Sequence, residues 1–198
     1  RAGLTFATGL RSILRHDPDI IMVGEIRDPE TAEMAIQASL TGHIVFSTLH
    51  TNDASSAVTR LLDMGIQPYL IASSLIGVIA QRLVGINCPE CSVPVPAPDV
   101  IFEEMAEILS RIPEQPQFRA GKGCARCLET GYYGRTGIFE LLLIDEEIRS
   151  LIMDRASSLE IKKAAIAKGL RTLRADGAEK VVQGISSVSE VLRVTQET

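Results

Sequence analysis

Apolar residues along this chain come in short runs separated by turn-forming residues. Between Asp19 and Gly24 the run Ile-Ile-Met-Val has the pattern of a strand buried on both faces. Asp28 and Pro29 then supply an N-cap and a first-turn proline, so a helix is expected through Thr31, Ala32, Glu33, Met34 and Ala35. A second buried strand is expected from His43 to Leu49, and Asp53 can cap a helix carrying Ala57, Leu61 and Met64. Met64 to Gln81 contains no charged residue and approaches membrane-spanning length. Its glutamines, serines, glycines and proline argue instead for a buried helix, opened by Gln67-Pro68 and ending near Arg82-Leu83. Strands alternating with helices predict an α/β fold with a mainly parallel sheet.

The pattern changes after Gly85. Cys88 to Gly134 holds all four cysteines, several prolines around a short acidic helix near Phe102 to Arg111, and a glycine-rich return at Gly121, Gly123, Gly131 and Gly134. Arg135 to Ile144 reads as a strand, and the remainder has helical periodicity broken at Gly169 and Gly184. Three regions are therefore expected: 1–86, an α/β core; 87–134, a cysteine module; and 135–198, a strand followed by a helical subdomain.

At 198 residues, 45% hydrophobic, the chain can bury a substantial core without disulfides. Only 4% of residues are aromatic and none is Trp, so aliphatic side chains must fill that core. A formal charge of -5 argues against direct nucleic-acid binding, which needs a basic surface. The start, Arg1-Ala2-Gly3-Leu4, lacks both an initiating Met and a signal-type apolar segment, and reads as the beginning of a fragment.

The cysteines form two C-x-x-C knuckles, Cys88 with Cys91 and Cys124 with Cys127. Four thiolates suit a tetrahedral Zn2+ and leave no open position, so the metal expected here is structural. Redox dithiols, a pair of disulfides or an iron-sulfur centre are the alternatives. Elsewhere, Glu25 directly follows the first expected strand. Ligands bind beyond the carboxyl ends of parallel strands, so a carboxylate there can orient water for attack on a phosphate, or be an ordinary acidic strand end. His43 and His50 bracket the second strand. If extended they lie on opposite faces and roughly 23 Å apart, at about 3.3 Å per residue, so one metal cannot hold both. His50 shares Glu25's edge and suits contact with a γ-phosphate; His43 suits a structural role. No G-x-x-x-x-G-K-S/T loop occurs in the 198 residues, and Gly121-Lys122-Gly123 lacks the required hydroxyl.

The segments Gly3-Leu4-Thr5-Phe6 to Arg11, Arg15-His16-Asp17-Pro18-Asp19-Ile20, Gly24-Glu25-Ile26-Arg27-Asp28 and Thr41 to Thr51, followed by Gln81-Arg82-Leu83, Cys88-Pro89, and Gly123 through Glu140, together resemble the GspE/PilB family of type II secretion and type IV pilus-assembly ATPases. That resemblance implies the C-terminal part of a RecA-like P-loop ATPase domain with an inserted tetracysteine zinc module. It implies a cytoplasmic hexamer, peripherally associated with the bacterial inner membrane and its platform proteins, that uses ATP with Mg2+. The family's Walker B segment maps onto Ile20 to Glu25, with Glu25 as the catalytic glutamate. Its His box maps onto Thr41 to Thr51, which places His43, Thr48 and His50, with Gly24 and Arg27, around the nucleotide. The family's phosphate-binding loop would lie upstream of Arg1, so the fragment alone is expected to be inactive. The zinc module disfavours the related retraction ATPases. A different class of reading is a non-catalytic zinc-ribbon scaffold. Arg60, the acidic stripe Glu103, Glu104 and Glu107, and the basic turn Arg171 to Arg174 read most simply as solvated surface.

Overall fold

The computed structural model describes residues 6–96, 103–111 and 118–196. The resemblance at Gly3, Leu4 and Thr5, and the side chains of Glu103, Glu104 and Glu107, lie outside the described residues. The chain divides into two compact units, one of residues 1–78 with 142–169, the other of 79–141 with 170–198.

In the first unit, α1 (Phe6–Ile13) precedes β1 (Ile20–Val23), α2 (Pro29–Leu40) and β2 (Ile44–Ser47). The two strands are parallel, with Ile20 opposite Ile44 and Met22 opposite Phe46. Parallel strands need a crossover, and α2 supplies it. Asp28 starts α2 by accepting the Thr31 amide at 2.8 Å and the Thr31 hydroxyl at 2.9 Å. Ile21 and Val23 bury against Leu10, Met34 and Ala38. The expectation of strands buried on both faces is corrected here: Ile20, Met22, Ile44 and Phe46 are 50–67% exposed. The period-2 alternation of side chains aims these four away from the buried cluster, and no further strand pairs with β1 or β2 among the described residues.

The unit continues with α3 (Ala54–Asp63) and α4 (Pro68–Ser74), and is completed by α6 (Glu146–Met153) and α7 (Ser158–Ala167). α4 packs on α6, and α3 on α7. Ile66, Ile71, Ile148, Ile152 and Ile161 are essentially inaccessible to water.

The expected long helix from Gln67 to Arg82 is not present. α4 stops at Ser74, Leu75 turns extended, and β3 runs from Gly77 to Asn87. Gly77 and the β-branched Ile76, Val78 and Ile79 disfavour helix and favour strand. β6 (Tyr132–Leu143) provides the pairing partner.

The second unit also contains β4 (Ser92–Pro94), α5 (Glu103–Arg111), β5 (Arg119–Gly121), α8 (Leu173–Val182) and α9 (Val188–Thr195). β4 and β5 pair antiparallel. Val84, Met105, Phe118, Ile138, Leu173, Ala178, Val181 and Val191 form its core. A Cβ on Gly177 would come within 2.5 Å of Val191, so that glycine sets how closely α8 and α9 approach. Among the described residues of this unit, two carboxylates are buried with partners. Glu140 accepts the Leu173 amide at 3.3 Å, and Glu190 accepts the Gly85 amide at 2.9 Å and both Arg193 nitrogens at 2.8 Å. Among the described residues no helix is long and apolar enough to cross a membrane.

Candidate functional site

Because β1 and β2 are parallel and in register, their carboxyl ends emerge side by side. Two hydrogen bonds tie the exits together: Thr48 Oγ1 donates to the Gly24 carbonyl at 2.8 Å, and the Ile26 amide to the Thr48 carbonyl at 3.0 Å. The next side chains converge. Glu25 Oε2 lies 2.7 Å from Arg27 Nε and 3.1 Å from His50 Nε2. Arg27 first, and His50 second, hold the Glu25 carboxyl below its ordinary pKa. Glu25 is thus an ionised acceptor at neutral pH, 27% exposed and open to a further hydrogen-bond donor such as water. The His50 ring is 79% exposed, and beside it an open cleft of about 270 Å³ is lined by Thr51, Asn52, Ser56, Thr59 and Arg60. A Cβ at Gly24 would meet nothing within 4 Å, so packing does not demand the glycine.

His43 sits at the other end of β2. Its Nδ1 lies 2.9 Å from the Ala38 carbonyl and 3.1 Å from Thr41 Oγ1, so it braces the turn between α2 and β2. The structure therefore brings Gly24, Glu25, Arg27, Thr48 and His50 to one edge and leaves His43 at the opposite one.

The four cysteines gather in the second unit. The Cys88 amide bonds to the Gly131 carbonyl, and the pairing of β4 with β5 holds the two knuckles opposite each other. All four sulfurs lie within 4.8 Å of one another. Three of the separations are 3.9 Å for Cys88–Cys124, 3.8 Å for Cys91–Cys127 and 3.8 Å for Cys124–Cys127. Sulfurs at about 2.3 Å from a tetrahedral metal stand about 3.8 Å apart, so the set fits such an ion. Burial pushes Cys91 up to about 12; at Cys127 burial is outweighed by the Cys124 and Gly131 amides, which bring it to about 7. Next to the cluster, Arg126 pairs with Glu90 at 2.6 Å and stacks over Tyr133 at 4.5 Å.

A contact without any sequence signal also touches the first site: Lys162 on α7 pairs with Asp53, 109 residues earlier, at 2.8 Å. Asp53 is legible as a cap, but nothing in the linear pattern singles out Lys162.

The chain is an α/β protein in which a parallel strand pair leads to a carboxylate and an imidazole, with a tetracysteine cluster in a second unit, and it belongs to the Type II/IV secretion system protein family, whose sequence profile matches residues 1–193. It is 51% identical over 197 residues to type II secretion system protein E of Pseudomonas aeruginosa, covering all of this chain and 38% of that protein. It is also 52% identical over 201 residues to the type IV pilus assembly ATPase PilB of Thermus thermophilus, covering all of this chain and 22% of that protein. The chain thus spans well under half the length of these relatives. Among solved structures it is similar to the pilus retraction motor PilT with bound ADP, with a TM-score of 0.66, 26% identity and coverage of 98% of this chain and 44% of that one. It is similar too to the ATPase DotB of Legionella pneumophila, with a TM-score of 0.64, 25% identity and coverage of 96% and 42%.

Proposed function

We propose that this chain is part of a RecA-like motor that couples ATP hydrolysis to protein secretion or pilus extension. The observation that carries the reading is the meeting of Glu25 with His50 where two parallel strands end. Glu25, kept anionic by Arg27 and His50, orients water and accepts its proton as the γ-phosphate is attacked. His50 faces that phosphate, and the open space beside Gly24 admits the nucleotide. Thr48 holds the two strand exits at a fixed separation, and Arg27 helps to neutralise the phosphates. His43 enters through the family resemblance, and its own contacts support an anchoring role at the far end of β2. ATP is used with Mg2+; the phosphate-gripping loop comes from a part of the parent protein outside these 198 residues. The cysteine cluster holds a structural Zn2+ that stiffens the module without entering the reaction. The parent works as a hexamer on the cytoplasmic face of the inner membrane, docked to platform proteins.

Glu25→Gln in the full-length parent tests this directly. ATP turnover should fall by at least about 100-fold, the scale of a lost general base, with nucleotide binding retained. Unchanged turnover would remove Glu25 from its role. The 198-residue chain alone should hydrolyse ATP negligibly.

A further inference from the structure

The loop that carries His50 is held by a helix far away in sequence. Asp53 ends that loop: its Oδ1 accepts the Ser56 amide at 2.8 Å and the Ser55 hydroxyl at 3.2 Å, starting α3, and its carbonyl accepts the Thr51 hydroxyl at 3.1 Å. The other carboxylate oxygen, Oδ2, lies 2.8 Å from Lys162 Nζ on α7, which packs on α3. Both side chains are largely withdrawn from water, at 17% and 21% exposure. Burial works against an ionised Asp53, but Lys162 and Ser56 outweigh it and hold the carboxyl below its ordinary pKa. An exposed ion pair constrains little. A charge-assisted bond sheltered from water fixes a geometry more firmly, because water replaces it poorly when the partners separate. The His50 ring is itself 79% exposed, so the loop backbone sets where it stands.

We propose that Lys162 is a positioning residue for the Glu25–His50 pair: by holding Asp53 it holds the loop 50–53, and with it the distance between imidazole and carboxylate. The inference rests on the reading of that pair as the reacting groups. It also gives α7 a task in the nucleotide site beyond filling the core.

Carboxyl NMR of Glu25, followed through a pH titration of the 198-residue chain, tests the link without needing activity. Arg27 and then His50 keep Glu25 low, so a drifting His50 lets its titration rise. Lys162→Met and Asp53→Asn should each displace the Glu25 midpoint upward by a similar amount, and the double variant should add nothing. Lys162→Arg should leave it in place. Asn still caps α3, so the helix survives the Asp53 change. Charge acting through space alone would move the two single variants in opposite directions, since one loses a cation and the other an anion. That result, or an unmoved midpoint in Lys162→Met, overturns the proposal.

In the full-length parent, Lys162→Met should lower kcat on the order of 10- to 100-fold with little change in KM for ATP, and Lys162→Arg should recover it. If Glu25→Gln left parental turnover intact while the titration still moved, the positional link would stand and the assigned chemistry would fall.

Discussion

The cysteine cluster and the Glu25–His50 pair each gather side chains from separate stretches of the chain, yet one is closed and the other open. The cluster's sulfurs are mutual neighbours within 4.8 Å, Cys88 and Cys127 are buried, and a tetrahedral ion would use every ligand. Glu25 is flanked instead by Arg27 and His50, 72% and 79% exposed, beside a cleft with room for a ligand. A saturated set of ligands can only hold shape. An ionised carboxylate facing water can still act on something that arrives.

The largest effect should come from opening the closed site. Cys88→Ser should abolish the zinc complement seen by elemental analysis and, because binding free energy of a structural metal is folding free energy, cost the second unit several kcal/mol in urea melts. Full zinc content in that variant would refute the four-thiolate site. The core around it comes next: Ile138 is 0% exposed, and Ile138→Ala should cost about 2–5 kcal/mol in the same assay. Thr172 caps α8 by accepting the Ala175 amide at 3.1 Å, and its replacement by Ala should cost about 1 kcal/mol. Phe46, 56% exposed on the bare face of β2, should tolerate Ser within about 0.5 kcal/mol. A larger loss there would mean that the open face is covered in solution.

Acid should weaken the helix starts gradually. The Thr31 amide and hydroxyl lower the pKa of Asp28, and the Ile148 amide, then Lys168, lower that of Asp145. A carboxyl whose folded pKa is depressed stabilises the fold above its unfolded value, about 3.9, and loses that contribution as pH falls through the folded value. Tm measured between pH 6 and 2 should therefore decline below about pH 4, and by less in Asp28→Asn.

Much of the first unit was legible because its signals are local. Asp28 and Asp53 cap the helices expected of them, and β1 and β2 fall within the runs that suggested strands. Burial was less legible. An apolar run cannot report whether another layer covers it, and so Ile20, Met22, Ile44 and Phe46 face water. The charge-free stretch from Met64 to Gln81 misled for a related reason: hydrophobicity alone does not choose between helix and strand, and Gly77 with its β-branched neighbours made the choice once β6 was available to pair. The last region, 135–198, contributes to both compact units, a division that no composition change marks.

By itself the amino-acid order determined the chemistry present: two C-x-x-C pairs, a carboxylate after one strand, histidines around another, and the family to which these belong. Only the tertiary structure decided which groups meet. His50 reaches Glu25 while His43 braces a turn, and Lys162 finds Asp53 across 109 residues. Local conformational preference is written in a few neighbouring residues, whereas a long-range contact depends on how separate elements pack, and that is a property of the whole fold.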